Sequence, residues 1–115
     1  MIVKIYHNPR CTKSRQTLQL LKDRGIEPEV IEYLKNPPNA AELADILDKL
    51  GMEPRDLMRK QETEYKSAGL DNAALDKQTL INGMATNPIL IERPIVIANG
   101  KAAIGRPPEN ILDIL

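Results

Sequence analysis

The stretch YHNPRCTKSR, residues 6–15, holds Cys11, the one cysteine in a chain of 115 residues. The reactive form of cysteine is the thiolate, and a free thiol with a pKa of about 8.5 is only a few per cent ionised at neutral pH. Arg10, Lys13 and Arg15 put positive charge near this sulfur. A hydrophobic run precedes Cys11 and helical spacing follows it, so the thiol falls where a strand ends and a helix begins. There the unpaired N–H groups and the dipole of the helix favour an anion. Such surroundings lower a thiol pKa by roughly one to several units. Ser14 is placed to donate a hydroxyl hydrogen bond to the sulfur, and His7 and Asn8, on the strand side, to supply a cation or a donor. The alternative is an inert, packed thiol, because cysteine is among the most buried residue types. The polar flanks Arg10, Thr12 and Lys13 argue against that alternative. Ser14 also occupies the position where a dithiol oxidoreductase carries its second cysteine. Cys11 can therefore attack, but it has no internal partner to resolve the product.

Three further arginines fall at loop positions: Arg59 in LMRKQ, Arg93 in ERPIV and Arg106 in GRPPE. Each alone reads as a solvated surface charge. Together they offer forked donors that match a tetrahedral oxyanion such as phosphate, sulfate or arsenate. A nucleophilic thiolate among such groups suits an oxyanion electrophile. Pro94 follows Arg93 directly; a cis peptide bond and an ordinary proline at a strand edge both fit that position.

The elements that must position these groups are legible in outline. Residues 2–6 and 28–34 read as strands, with a helix from Thr12 to Gly25 between them whose inner face is Ser14, Leu18 and Leu21, with Leu20 beside it. That is a parallel βαβ unit with a right-handed crossover. In 36–51, Asn39 and Glu42 have capping-box spacing and Gly51 suits the helix end. Short helical pieces follow near 54–59 and 65–69, then a helix over 76–87 capped by Asp76. Residues 93–105 form a hairpin signal around Asn99-Gly100, and the prolines after Arg106 open a final helical segment. The order β-α-β, helical block, β-β-α predicts an α/β fold: a mixed four-stranded sheet flanked by helices, in a single domain 1–115 with a helical insertion at about 39–87.

Composition narrows the function classes. Lys plus Arg equals Asp plus Glu at 16 each, so no global field points to nucleic acid or to an anionic membrane. Three Tyr and no Trp or Phe leave little for base stacking. No apolar run nears the roughly 20 residues of a membrane span, and MIVKIYHNP is too short and polar for a signal peptide. One Cys and one His make no metal set. The expectation is a cytoplasmic monomer without bound metal or cofactor.

With these residues in place, the chain resembles the glutaredoxin-linked arsenate reductases, the ArsC family on a thioredoxin-like fold. The segment IYHNPRCTKSR is similar to that family's HNPxCxxSR, and LMRKQETEY to its LxRKxxxxY. NPILIERPIVI resembles HPILIxRPIVV, and RPPENILDIL resembles RPxExxLDIL. The four motifs occur in the family's order along nearly the whole chain. The resemblance implies that Cys11 attacks arsenate, that Arg59, Arg93 and Arg106 bind the oxyanion, and that His7, Asn8 and Ser14 keep the sulfur ionised. It makes Pro94 the cis-proline beside the site. It also implies glutathione as co-substrate and glutaredoxin as partner, which together take the adduct to arsenite and disulfide. Arg10 stands where the family commonly has a small residue, and Thr12 where glycine is frequent. Two other roles share this chemistry or fold: a Spx-type regulator that binds RNA polymerase, and a monothiol glutathione-dependent oxidoreductase.

Overall fold

The structure, a computed structural model, describes residues 2–115. The first strand, β1 (Lys4–His7), begins two residues later than the β-branched run and continues one residue beyond it. Its extent is set by its partner β2 (Glu29–Glu32), which pairs in parallel from Lys4 opposite Glu29 to His7 opposite Glu32. Strand β2 stops short of residue 34 because the Lys35 and Asn36 amides turn back to donate to the Glu32 carbonyl, each at 2.9 Å.

Helix α1 (Thr12–Asp23) connects the two strands and ends before Gly25, which takes φ +75°. Its buried residues are Ser14, Thr17 and Leu21, while Leu18 and Leu20 are only partly covered. Thr17 can sit inside because its hydroxyl donates to the Lys13 carbonyl at 2.8 Å, which satisfies the polar atom within the helix.

Strands β3 (Ile95–Ala98) and β4 (Lys101–Ile104) form the hairpin. Asn99 at φ 55° and Gly100 at φ 71° supply the two positive angles that a type I′ turn requires. The Asn99 side chain also donates to the Ile114 carbonyl at 2.9 Å and so ties the turn to the end of the chain. Strand β3 runs antiparallel to β1, giving the order β2-β1-β3-β4. Val3, Ile5, Val96 and Ala98 pack with Leu21 of α1 and with Ile111 and Ile114. The last two belong to a 3₁₀ segment, Pro108–Ile114, whose three-residue turn puts both on one side. The result is a thioredoxin-like α/β fold, a mixed four-stranded sheet flanked by helices.

The chain forms two compact units. The sheet unit comprises the chain up to Asn36 together with Arg93–Leu115, and the second unit is Pro37–Glu92. In the second, α2 (Ala40–Leu50) starts in a full capping box, with the Asn39 side chain accepting from the Glu42 amide at 2.8 Å and the Glu42 carboxylate accepting from the Asn39 amide at 3.1 Å. Gly51 closes the helix at φ 66°. The 3₁₀ turn Pro54–Leu57, α3 (Thr63–Ser67), α4 (Lys77–Thr86) and the 3₁₀ turn Pro88–Leu90 follow. Asp76 caps α4 by accepting from the Thr79 amide. Leu43, Ile46 and Leu47 of α2 and Leu80, Ile81 and Met84 of α4 are buried, and the two helices pack together. The Arg55 guanidinium fastens the loop beyond α3 by donating to the Tyr65 hydroxyl, the Leu70 carbonyl and the Asn72 carbonyl at 2.5, 2.8 and 2.6 Å. The Arg59 amide donates to the Leu90 carbonyl and the Glu92 amide to the Leu57 carbonyl, closing the unit on itself.

Removing the capping oxygen in Asn39→Ala is expected to lower stability by about 1 kcal/mol. Denaturant unfolding measures this, and an unchanged midpoint would show that the capping box contributes nothing.

Candidate active site

Cys11 is the N-cap residue of α1, with extended backbone angles of φ −92° and ψ 124°. Its own amide donates to the Asn8 carbonyl at 3.0 Å, which curls the chain into the helix entry. The residue that usually stands here is Ser, Thr, Asp or Asn, whose oxygen accepts from the first free amides. Here a sulfur stands at that position, with no side-chain capping hydrogen bond. It is buried to 8 % exposure. Burial pushes the thiol pKa up, but four groups pull harder the other way: the Ser14 amide, the positive charge of Arg93, the Arg106 guanidinium and the Lys13 amide. The net direction is down. The sulfur is thus enclosed, with backbone donors and two arginines acting on it.

Two of the arginines converge on it from the hairpin. One residue, Pro94, separates Arg93 from the start of β3, and one, Gly105, separates Arg106 from the end of β4. Arg106 Nη1 donates to the Cys11 sulfur at 3.7 Å and to the Arg93 carbonyl at 3.2 Å, so one guanidinium joins the nucleophile to the other arm of the hairpin. The Arg93–Pro94 and Arg106–Pro107 peptide bonds are both cis. Arg59 lies in the second unit, where it pairs with Glu62 at 2.8 Å and donates to the Ile89 carbonyl at 3.4 Å.

The groups on the strand side act differently from the expectation. The Ser14 hydroxyl is engaged with His7 Nδ1 at 2.6 Å and accepts from the Asn8 amide at 3.0 Å. It is therefore the Ser14 backbone amide, not the hydroxyl, that lowers the thiol pKa. His7 is buried, and its pKa is lowered chiefly by that burial, against the opposing charge of Glu32 and with help from Arg15 and Lys22. A neutral ring is favoured, and its role is to anchor Ser14 instead of serving as a cation. Asn8 shapes the loop: its side chain accepts from the Arg10 amide at 3.0 Å.

Four residues had roles that were not legible as such in the sequence. Arg15, read there only as nearby charge, braces the loop by donating to the Pro9 carbonyl at 2.9 Å and to Thr12 Oγ1 at 3.2 Å. Thr17 and Gly105 form a close contact between α1 and the end of β4. A glycine placed between a strand and an Arg-Pro pair was the available signal for the latter. Arg10, together with His7, Asn8, Glu32 and Lys35, lines a cavity of 310 Å³ beyond the carboxyl ends of the parallel strands. Among the described residues, no group of His, Cys, Asp and Glu is arranged to hold a metal ion, and no helix is long and apolar enough to cross a membrane.

The thioredoxin-like fold thus carries a thiol of lowered pKa at the start of its first helix, with arginines near both feet of its hairpin. The chain matches the ArsC family over residues 6–114 and belongs to it. It is 58 % identical over 114 residues to the uncharacterized protein YfgD of Escherichia coli K12, covering 98 % of this chain and 96 % of that one. It is 54 % identical over 114 residues to an arsenate reductase of Neisseria meningitidis, covering 98 % and 97 %. Among solved structures, an arsenate reductase from Vibrio cholerae superposes with a TM-score of 0.96 at 50 % identity, over 100 % of this chain and 98 % of that one.

The depressed thiol pKa has a stability consequence whose sign is fixed. Thiolate formation in the folded state adds stability that is fully present above the unfolded value of about 8.5 and is lost as pH falls through the lower folded value. The alkylation rate of Cys11 against pH should therefore show its inflection below about 8.5. Denaturant midpoints at about pH 6 and about pH 9 should differ more in the wild type than in Cys11→Ser. An inflection at the free-thiol value, or the same pH response in both proteins, contradicts the assignment.

Proposed function

We propose that this protein reduces arsenate to arsenite through a covalent adduct on Cys11, with glutathione as co-substrate and glutaredoxin as the reductant that resets it. The observation that carries the reading is the Cys11 sulfur held with a lowered pKa beneath the Arg106 guanidinium and within the field of Arg93. Relatives bearing the name arsenate reductase, at 42–54 % identity, support the same substrate.

The thiolate attacks arsenic(V) and expels one oxygen as hydroxide or, with a proton, as water. An S–As bond forms and an As–O bond breaks, with no change of oxidation state. The guanidinium donors offset the negative charge of the oxygens that remain. Reduction needs two electrons. Glutathione adds its thiol, arsenic leaves as arsenite with the electron pair, and the Cys11 and glutathione sulfurs are left joined as a mixed disulfide. Glutaredoxin then takes that disulfide and returns Cys11 to the thiolate. A chain whose one cysteine has no internal partner requires both external thiols. Nothing in the thiolate site favours a polymerase-binding role, and the arginines suit an oxyanion better than a protein mixed disulfide.

The test is arsenate-dependent oxidation of NADPH in a coupled assay containing glutathione, glutathione reductase and glutaredoxin. Turnover is expected for the wild type and only background for Cys11→Ser; equal rates in the two would end the proposal. Arg106→Ala is expected to raise the KM for arsenate by about tenfold or more, because it removes a charge-assisted donor. Unchanged KM with lowered thermal stability would make Arg106 a structural residue.

A further inference from the structure

Arg106 reaches the sulfur only if the end of β4 lies close against the first turns of α1, and the residue at that point is Gly105. A Cβ built on Gly105 would stand 2.4 Å from Thr17 Oγ1, 3.0 Å from Thr17 Cγ2 and 2.9 Å from Pro94 Cγ. Separations below 3.0 Å force something to shift. Thr17 has little freedom to do so. It is fully buried, β-branched, and held by the bond from its hydroxyl to the Lys13 carbonyl, with a longer approach of 3.4 Å to the Gly105 carbonyl. The Gly105 amide also donates to the Pro94 carbonyl at 2.9 Å. The same few atoms thus join the helix that carries Cys11, the proline that follows Arg93, and the residue that precedes Arg106. Gly105 has no positive φ in this chain, so the need for glycine here is one of space and not of backbone conformation.

We propose that Gly105 is a positioning residue for the thiolate site: the missing Cβ lets the end of β4 seat against Thr17 and Pro94, and this seating holds the Arg106 guanidinium on the Cys11 sulfur. A side chain at Gly105 lifts the strand end away from α1. Arg106 moves with it, since the two residues are consecutive. The sulfur then loses a charge-assisted donor while the Ser14 and Lys13 amides, which belong to α1 itself, stay in place. Thr17 is the other half of the device, and trimming it should make room for the added methyl group. The part of the inference that concerns anion binding rests on the arsenate reading; the part that concerns the thiol does not.

The experiment compares wild type, Gly105→Ala, Thr17→Ala and the double variant in two measurements, thermal unfolding and the pH dependence of Cys11 alkylation. Gly105→Ala should fold and show its alkylation inflection raised by about one pH unit, the scale of losing one close cationic partner. The double variant should move the inflection back toward the wild-type position, because Thr17→Ala removes both Oγ1 and Cγ2 and leaves only Pro94 Cγ, at 2.9 Å, against the added methyl group. A loss of folding in Gly105→Ala alone, rescued with a wild-type inflection in the double variant, supports the same geometry. A folded Gly105→Ala with an unmoved inflection overturns the proposal, as does a double variant that is unfolded or keeps the raised inflection. Alkylation uses no arsenate, so a protein that fails the coupled assay while passing this test keeps the positioning role and loses only the substrate.

Discussion

A buried sulfur whose ionised form is favoured needs donors and cations brought to it, and this requirement orders much of the sheet unit. Burial works against ionisation, and four groups from two parts of the chain reverse it. Two of them, the Ser14 and Lys13 amides, come with the helix at no separate structural cost, because the first turn of any helix leaves its N–H groups without partners. The other two are arginines more than eighty residues away in sequence. Bringing them to the helix start is the task of the hairpin.

The hairpin does this by its own geometry. Its strands run side by side, so the residues entering β3 and leaving β4 finish at the same end, and both carry arginines. Pairing of β3 with β1 places that end beside the loop after β1, where Cys11 lies. The short turn at Asn99-Gly100 and the bond from Asn99 to the Ile114 carbonyl fix the opposite end. His7, Asn8 and Ser14 form a separate hydrogen-bonded group at the helix entry. They set the path of the loop and hold the helix entry while leaving the amides free to face the sulfur.

Much of this was legible in the sequence where the signal was local. The capping box at Asn39 and Glu42, the Asp76 cap, the stop at Gly51 and the Asn99-Gly100 turn each depend on residues within a few positions of one another, and each stands where its spacing places it. The four segments that resemble the ArsC family were equally readable, because motif order survives without knowledge of contacts. Less legible were the roles inside the site. Ser14 offers a hydroxyl in the sequence, but in the fold its hydroxyl belongs to His7 and its amide to Cys11. The inner face of α1 includes Thr17 in preference to Leu18, since a threonine whose hydroxyl bonds one turn back can be buried at little cost.

The sequence by itself determined the lone cysteine at a strand-to-helix junction and the element order, because each follows from residue type and nearest neighbours along the chain. Tertiary structure alone decided which charges act on that cysteine and how near they come. Arg106 and Cys11 are ninety-five positions apart. Their 3.7 Å separation is set by strand register and by the room left at Gly105, quantities that exist only once the sheet has closed on the helix.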